Sequence, residues 1–180
     1  SRYASAKEAA DAVAAYKDQM SRLVRVNPQE VTHVFFHSLI VDTSKAFDGD
    51  NREGGYNQMM TTKDEFIKMM QSMYDKGYVL VKIHDLAYET TDENGNPKFV
   101  YGDIMLPEGK KAFVMSQDDV CYYEYMKGDG FATRMVIGED GYPTTEMEQD
   151  DGSVVTGDFD LVPILETFIK EHPGFSYKGA

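Results

Sequence analysis

The sequence predicts an α/β fold, because stretches with helical periodicity alternate with short apolar runs that are typical of strands. The runs at 31–37, 78–83 and 111–116 are rich in β-branched and aromatic residues, which predicts buried strands. A helical pattern lies between the first two of these runs. The order strand, helix, strand, strand is typical of α/β proteins.

The composition is that of one soluble globular domain. The chain has 180 residues, of which 42% are hydrophobic and 27% are charged. A chain of this length buries roughly 70% of the surface that it exposes when unfolded, so it needs no disulfide or metal to hold a core. Cys121 is the single cysteine, which excludes an internal disulfide and leaves the redox compartment open.

Charge and hydropathy exclude two classes of partner. The formal net charge is −13 and no stripe of Lys and Arg interrupts it, so we expect no nucleic-acid partner. No run of about 18 apolar residues is present, so we expect no transmembrane segment. The first residues lack the basic and apolar regions of a signal peptide, which leaves open a leader removed earlier.

The region before residue 62 predicts a helix, a strand and a long loop. Apolar residues recur at three- and four-residue steps over 6–24, which predicts a helix that ends near Asn27-Pro28. After the strand at 31–37, residues 40–61 are polar and glycine-rich. They predict a loop of about twenty residues, and loops of that length are usually functional or mobile.

Two later helices have clear boundary signals. Thr62 and Glu65 fit a capping box, in which each side chain satisfies a free backbone N–H, and Gly77 is expected to end that helix. Asp160 is expected to cap the second of these helices. His172 lies at its end, where a cation interacts favourably with the helix dipole.

The segment between residues 131 and 157 has a different pattern. Its short runs are broken by Glu139-Asp-Gly141 and Asp150-Asp-Gly152, which predicts β-hairpin strands inserted into the main fold as a lid or flap. The acidic run over 146–151 is expected to be a solvated turn.

The number of strands leaves two architectures open. Only about four strands of the parallel type are predicted, whereas a closed α/β barrel needs about eight strand–helix units. The chain is therefore either a small open sheet or the first half of a barrel. It stops at 177–180 as a strand begins, which favours truncation.

Histidines at the ends of the first predicted strand have two interpretations. His33 and His37 are spaced as in a zinc-binding helix, but four residues of strand span about 13 Å, too far for one metal ion. His37, nearer the carboxyl end, is expected either to serve a site there or to be a hydrogen-bonded core or turn histidine.

Asp118 and Asp119 follow the apolar strand at 111–116 directly. In α/β barrels catalytic groups lie at the carboxyl ends of strands. Adjacent residues there point in different directions, so one aspartate can bind a divalent metal while its neighbour takes a proton from the bound water. The alternative is structural, because Asp-Asp also begins many turns and helices.

A cluster of tyrosines follows the two aspartates. Tyr122, Tyr123 and Tyr125 are candidates for stacking on sugar rings, or for packing behind the loop at the strand end.

Three motifs carry a resemblance to a known family. They are His33-Val-Phe-Phe-His-Ser-Leu39, Tyr78-Val-Leu-Val81 with Ile83-His-Asp-Leu86, and Phe113-Val-Met-Ser-Gln-Asp-Asp119. From about residue 30 onwards the chain resembles the N-terminal half of polysaccharide deacetylases, the NodB-homology carbohydrate esterases. The resemblance implies a partial (β/α) barrel with an inserted β-hairpin region at about 131–157. Residues 1–28 would form an N-terminal helix, and residues 29–180 would form the deacetylase-like domain.

The resemblance also implies an activity and a site. The full-length protein would be a metal-dependent hydrolase that removes acetyl groups from N-acetylglucosamine-type polysaccharide at the cell surface. Asp118 would be its general base and Asp119 a ligand of zinc or another divalent ion. His37 matches a histidine of the family that lies near the mouth of the barrel and is not a metal ligand. Together with Tyr122 and Tyr123, whose rings are candidates for stacking on sugars, it is expected to contact the substrate. Localisation would be extracellular or in the cell envelope.

Departures from the family pattern limit what this stretch is expected to do. The second motif, His-Ser/Thr-x-x-His, supplies the other metal ligands and has no counterpart after Asp119, while Gln117 and Val120 replace the usual Phe and Gly. Catalytic zinc normally has three protein ligands. We therefore expect a divalent metal only in the complete domain, with the missing C-terminal half of the barrel, and this stretch alone to be inactive. The alternative is a non-catalytic envelope module that binds glycan or protein.

Overall fold

The computed structural model describes residues 5–118 and 123–178 and mixes helices with short strands. The helices are α1 (Ala6–Ser21), α2 (Thr43–Ala46), α3 (Glu53–Met59), α4 (Lys63–Asp75), α5 (Ile83–Leu86) and α6 (Leu161–Glu171). The strands are β1 (Leu23–Arg25), β2 (Thr32–Phe36), β3 (Tyr78–Leu80), β4 (Ala87–Thr91), β5 (Pro97–Tyr101), β6 (Met105–Pro107), β7 (Lys111–Gln117), β8 (Arg134–Ile137), β9 (Pro143–Glu148) and β10 (Val154–Gly157).

The chain divides into two compact units. The described residues of the first unit are 5–32, 77–114 and 176–178, and those of the second are 33–76, 115–118 and 123–175. Strand β7 belongs to both, because the division falls after Val114.

The first unit contains a parallel strand pair and two antiparallel pairs. β3 pairs with the first half of β7 in parallel, with Val79 opposite Ala112. β1 pairs with β6, and β4 pairs with β5 in a hairpin whose turn contains Gly95 at φ +80°. A core of aliphatic side chains is buried in this unit. Its members are Val79, Val81, Ile104, Leu106, Ala112 and Val114.

The second unit contains the end of β7, its neighbour β2 and a separate antiparallel sheet. That sheet has the order β10-β9-β8 and occupies the region for which the sequence predicts hairpin strands. α6 buries Leu161, Ile164 and Phe168 on one face, and α4 buries Phe66 and Met70. The rings of Phe66 and Phe36 meet edge to face at 5.0 Å between centroids, which joins α4 to β2.

Both predicted helix caps in the second unit are confirmed. The Thr62 side chain accepts from the backbone N–H of Glu65, and the Glu65 carboxylate accepts from that of Thr62. Asp160 caps α6 by accepting from the backbone N–H of Leu161. His172 ends α6, as predicted.

Four predictions of local structure are wrong. The acidic run over 146–151 is not a single solvated turn, because Glu146, Met147 and Glu148 lie in β9. Leu23 and Val24 lie in β1 and not in the N-terminal helix, because they pair with Pro107 and Leu106 of β6. Residues 40–61 are not one loop, since α2 and α3 form there, α2 with Asp42 as its cap. Ile83 lies in α5, so the second predicted strand ends at Leu80.

No closed barrel is formed by residues 5–118 and 123–178, whose strands lie in the pairs and small sheets given above. The partial barrel of the NodB type therefore stays a prediction. Among the same residues, no helix is both long enough and apolar enough to cross a membrane.

Candidate functional site

The candidate site lies in the second unit, where β2 and β7 end. Side chains alternate between the two faces of a strand, so His33, Phe35 and His37 lie on one face of β2 and its continuation. The His33 ring contacts the Ser116 hydroxyl, with Nε2 and Oγ 2.7 Å apart. The His37 ring contacts the Asp118 carboxylate, with Nδ1 and Oδ1 also 2.7 Å apart. The later residue of the first segment, His37, contacts the later residue of the second, Asp118, so the two segments run in the same direction and their carboxyl ends lie side by side.

His37 and Asp118 form an accessible hydrogen-bonded pair. The side chain of His37 is 21% exposed and that of Asp118 is 45% exposed, so solvent reaches both. The His37 and Phe35 rings meet edge to face at 5.1 Å between centroids, which restricts how the imidazole turns. The Asp118 backbone N–H donates to Phe36 O at 3.3 Å and so ties the end of β7 to β2.

A buried carboxylate anchors the backbone around this pair. Asp160 is 1% exposed, and its Oδ1 accepts hydrogen bonds from the backbone N–H groups of Leu39 and Leu161, at 3.1 and 2.8 Å. The same oxygen accepts from Gln117 Nε2 at 2.9 Å, and Gln117 Nε2 also lies 3.4 Å from His37 O. One carboxylate therefore connects the turn after β2, the end of β7 and the start of α6.

The hydrogen bonds that Asp160 accepts from Leu39, Leu161 and Gln117 form a clamp at the strand ends. Gln117, at which the sequence departs from the deacetylase motif that it resembles, has a structural role in this clamp. Its amide nitrogen bridges Asp160 and the His37 backbone, whereas its Oε1 is buried without a hydrogen-bond partner among the described residues. A phenylalanine at this position has no donor for the Asp160 carboxylate. The clamp is a feature that sequence analysis did not find, because nothing in the local sequence joins residues 117 and 160.

Tyr123 and Tyr125 form a stacked and exposed aromatic pair. Their rings are nearly parallel, 10° apart, with centroids separated by 5.6 Å. Tyr123 is 51% exposed and Tyr125 is 61% exposed. Both tyrosines therefore present more than half of their surface to solvent. A pair of exposed aromatic faces suits stacking against the apolar face of a sugar ring.

A polar network that sequence analysis also missed holds Tyr125 in position. The Arg52 guanidinium donates to the backbone carbonyl of Tyr125 and lies 3.1 Å from the Asp129 carboxylate. The Tyr56 hydroxyl donates to the same carboxylate at 2.6 Å. Burial and this hydrogen bond raise the pKa of the Tyr56 hydroxyl well above its usual value, so it remains a donor at all ordinary pH values.

Two predicted site residues, Asp119 and Tyr122, lie outside the described residues. Among residues 5–118 and 123–178, no group of three or more His, Cys, Asp or Glu side chains is close enough to hold a metal ion. Nδ1 of His37 is already hydrogen-bonded to the Asp118 carboxylate. The described residues therefore do not fit the divalent ion that the resemblance implies, and that ion stays a prediction.

Two cavities lie elsewhere in the units. A cavity of about 290 Å³ in the first unit lies between β1 and the turn at Gly109, and one of about 210 Å³ in the second lies between β9 and α6. Neither is lined by His37 or Asp118.

Comparisons of the chain with protein-family models, with curated proteins and with solved structures found no match.

Proposed function

We propose that this chain carries part of the active site of a hydrolase that removes acetyl groups from N-acetylglucosamine-type polysaccharide of the cell envelope. One observation supports the proposal above the others. His37 and Asp118, which are predicted as site residues from two separate motifs, are hydrogen-bonded at 2.7 Å where two strands end side by side. Catalytic groups of α/β enzymes concentrate at such carboxyl ends.

The pair supplies what amide hydrolysis needs from a base. As water attacks the acetyl carbonyl carbon, a C–O bond forms and the base accepts one proton of the water. Collapse of the tetrahedral intermediate breaks the C–N bond, and the leaving nitrogen takes up a proton. The products are acetate and a free amine on the sugar. Both side chains are exposed to solvent, and a carboxylate or an imidazole nitrogen with a free lone pair can accept a proton from water.

Acetate release tests the proposal directly. The natural polypeptide that contains these residues is incubated with N-acetylated chito-oligosaccharides, and acetate is measured enzymatically. We expect release by the wild type and a loss of about 10²-fold or more in Asp118→Asn, which removes the carboxylate. Glu139→Gln is the matched control, since Glu139 is an exposed turn residue of the same unit and the variant also removes one negative charge. Equal acetate release by Asp118→Asn and wild type would contradict the proposal.

A second candidate function, a glycan-binding module without catalysis, is favoured by the Tyr123–Tyr125 stack. Stacking on a sugar needs only exposed aromatic faces, which both tyrosines have. The chain contains no tryptophan, so its intrinsic fluorescence comes from tyrosine. Chito-oligosaccharides should then change this fluorescence saturably in the wild type and not in Tyr125→Ala. Tyr88→Ala removes a tyrosine of similar exposure in the first unit and should leave the titration unchanged.

A further inference from the structure

The resemblance assigns the general base to Asp118, but the contact between Asp118 and His37 favours another division of roles. The Asp118 carboxylate faces His37 Nδ1 at 2.7 Å. A carboxylate only accepts hydrogen bonds, so Nδ1 must carry the proton in this contact. In a neutral imidazole the other nitrogen, Nε2, then has a free lone pair. Among the described residues Nε2 of His37 has no hydrogen-bond partner.

We infer that His37 is the catalytic base of the proposed reaction and that Asp118 is a positioning residue. His37 Nε2 accepts the proton from the attacking water and later returns it to the leaving nitrogen. The Asp118 carboxylate fixes the Nδ1–H tautomer and stabilises the imidazolium while it exists, as aspartates do when they are paired with catalytic histidines. The inference rests on the proposed function and names the proton-transferring atom of that site.

The surroundings of the pair support this assignment. The Phe35 ring and the imidazole meet edge to face, and Gln117 Nε2 contacts His37 O within the clamp made by Asp160. The backbone of Asp118 is tied to Phe36 O. These contacts fix the backbone of both partners and the ring of His37, while the His37 side chain remains 21% exposed and open to a substrate.

One substitution separates the two possible bases. In His37→Asn the side-chain amide can still donate to Asp118 from the position of Nδ1, but the variant has no atom at the position of Nε2 and so no base there. If His37 is the base, acetate release by the natural polypeptide should fall by about 10²–10⁴-fold. Added imidazole should partly restore activity in His37→Gly and have no effect on the wild type.

The tautomer of His37 is a second readout, because His37 can act as the base only if Nε2 carries no proton. Long-range ¹H–¹⁵N spectra of the labelled protein should show the Nδ1–H form for His37, identified by the signal that His37→Asn lacks. The signal should move towards the Nε2–H form in Asp118→Ala.

The outcomes are distinguishable. If the wild type releases acetate and His37→Asn stays within about threefold of it, Asp118 or another group is the base, and the inference fails while the proposed function stands. An Nε2–H tautomer in the wild type overturns the inference as well. If the wild type releases no acetate, the proposed function and the role of His37 fall together.

Discussion

Replacing Asp160 by alanine should strongly destabilise the second unit. Its Oδ1 accepts from Leu39 N, Leu161 N and Gln117 Nε2 at 3.1, 2.8 and 2.9 Å. Leu39 and Leu161 are 0% and 4% exposed, so water cannot replace the lost acceptor. A hydrogen bond to a charged group contributes about 1.5–3 kcal/mol, and an unsatisfied buried donor costs a similar amount.

The three donors share one oxygen, so their contributions are not additive. We expect Asp160→Ala to lower the free energy of unfolding by about 3–5 kcal/mol, which includes the loss of the α6 cap. Asp160→Asn keeps a carbonyl oxygen for the donors and should cost about 1–2 kcal/mol, mainly from the weaker neutral hydrogen bonds.

Urea-induced unfolding followed by far-UV circular dichroism measures these differences. Glu139→Gln is the control, because substitution of an exposed side chain usually changes stability by less than about 0.5 kcal/mol. The reasoning would be refuted if the free energy of unfolding of Asp160→Ala were less than about 1 kcal/mol lower than that of the wild type. So would equal losses in the alanine and asparagine variants, because the predicted difference depends on the retained oxygen.

Three further predictions concern the second unit. Tyr56→Phe removes the 2.6 Å hydrogen bond to Asp129 and should cost about 2 kcal/mol in urea unfolding; no measurable change would show that the bond contributes nothing. Thr62→Ala breaks the capping box of α4 and should cost about 1 kcal/mol, whereas Thr62→Ser should cost less because it keeps the hydroxyl. Hydrogen bonds from Thr62 lower the pKa of the Glu65 carboxyl, so the stability that they supply is present above the unfolded-state pKa of about 4.3 and is lost as pH falls through the folded-state value. Unfolding measured from pH 6 to pH 3 should therefore depend less on pH in Glu65→Gln than in wild type, and identical profiles would contradict this reasoning.

Short-range signals in the sequence predict the helix caps well. The Thr62–Glu65 capping box and the Asp160 cap depend on residues three positions apart or fewer, and both form as expected. The position of His172 at the end of α6 is likewise predicted from the local helical pattern. In both caps the capping hydrogen bond joins neighbours along the chain, so the local sequence contains that bond.

Local sequence patterns predict the wrong secondary structure where pairing with a distant segment determines it. Leu23 and Val24 continue the helical spacing of α1 and still form a strand, because backbone bonds to β6 are available more than 80 residues later. The polar residues at 43–59 form two short helices because Asp42 and the packing of Tyr56 and Ala46 into a buried cluster fix them. Tertiary contacts of this kind override composition.

The candidate site is predictable in part for the same reason. Alternation along a strand places His37 and Asp118 on defined faces, and the family resemblance marks both as site residues. Their contact joins residues 81 positions apart and depends on the register of two strands, which the sequence of neither strand specifies. The Gln117–Asp160 clamp spans 43 positions and was missed for that reason.

The most direct test of the proposed site is the crystal structure of the Asp118→Asn natural polypeptide bound to an N-acetylated chito-oligosaccharide. The account predicts an acetamido carbonyl next to the His37 ring, with at most one water between its carbon and Nε2. An oligosaccharide bound only on the Tyr123 and Tyr125 rings, with its acetamido groups remote from His37, would contradict the hydrolase and favour the binding module.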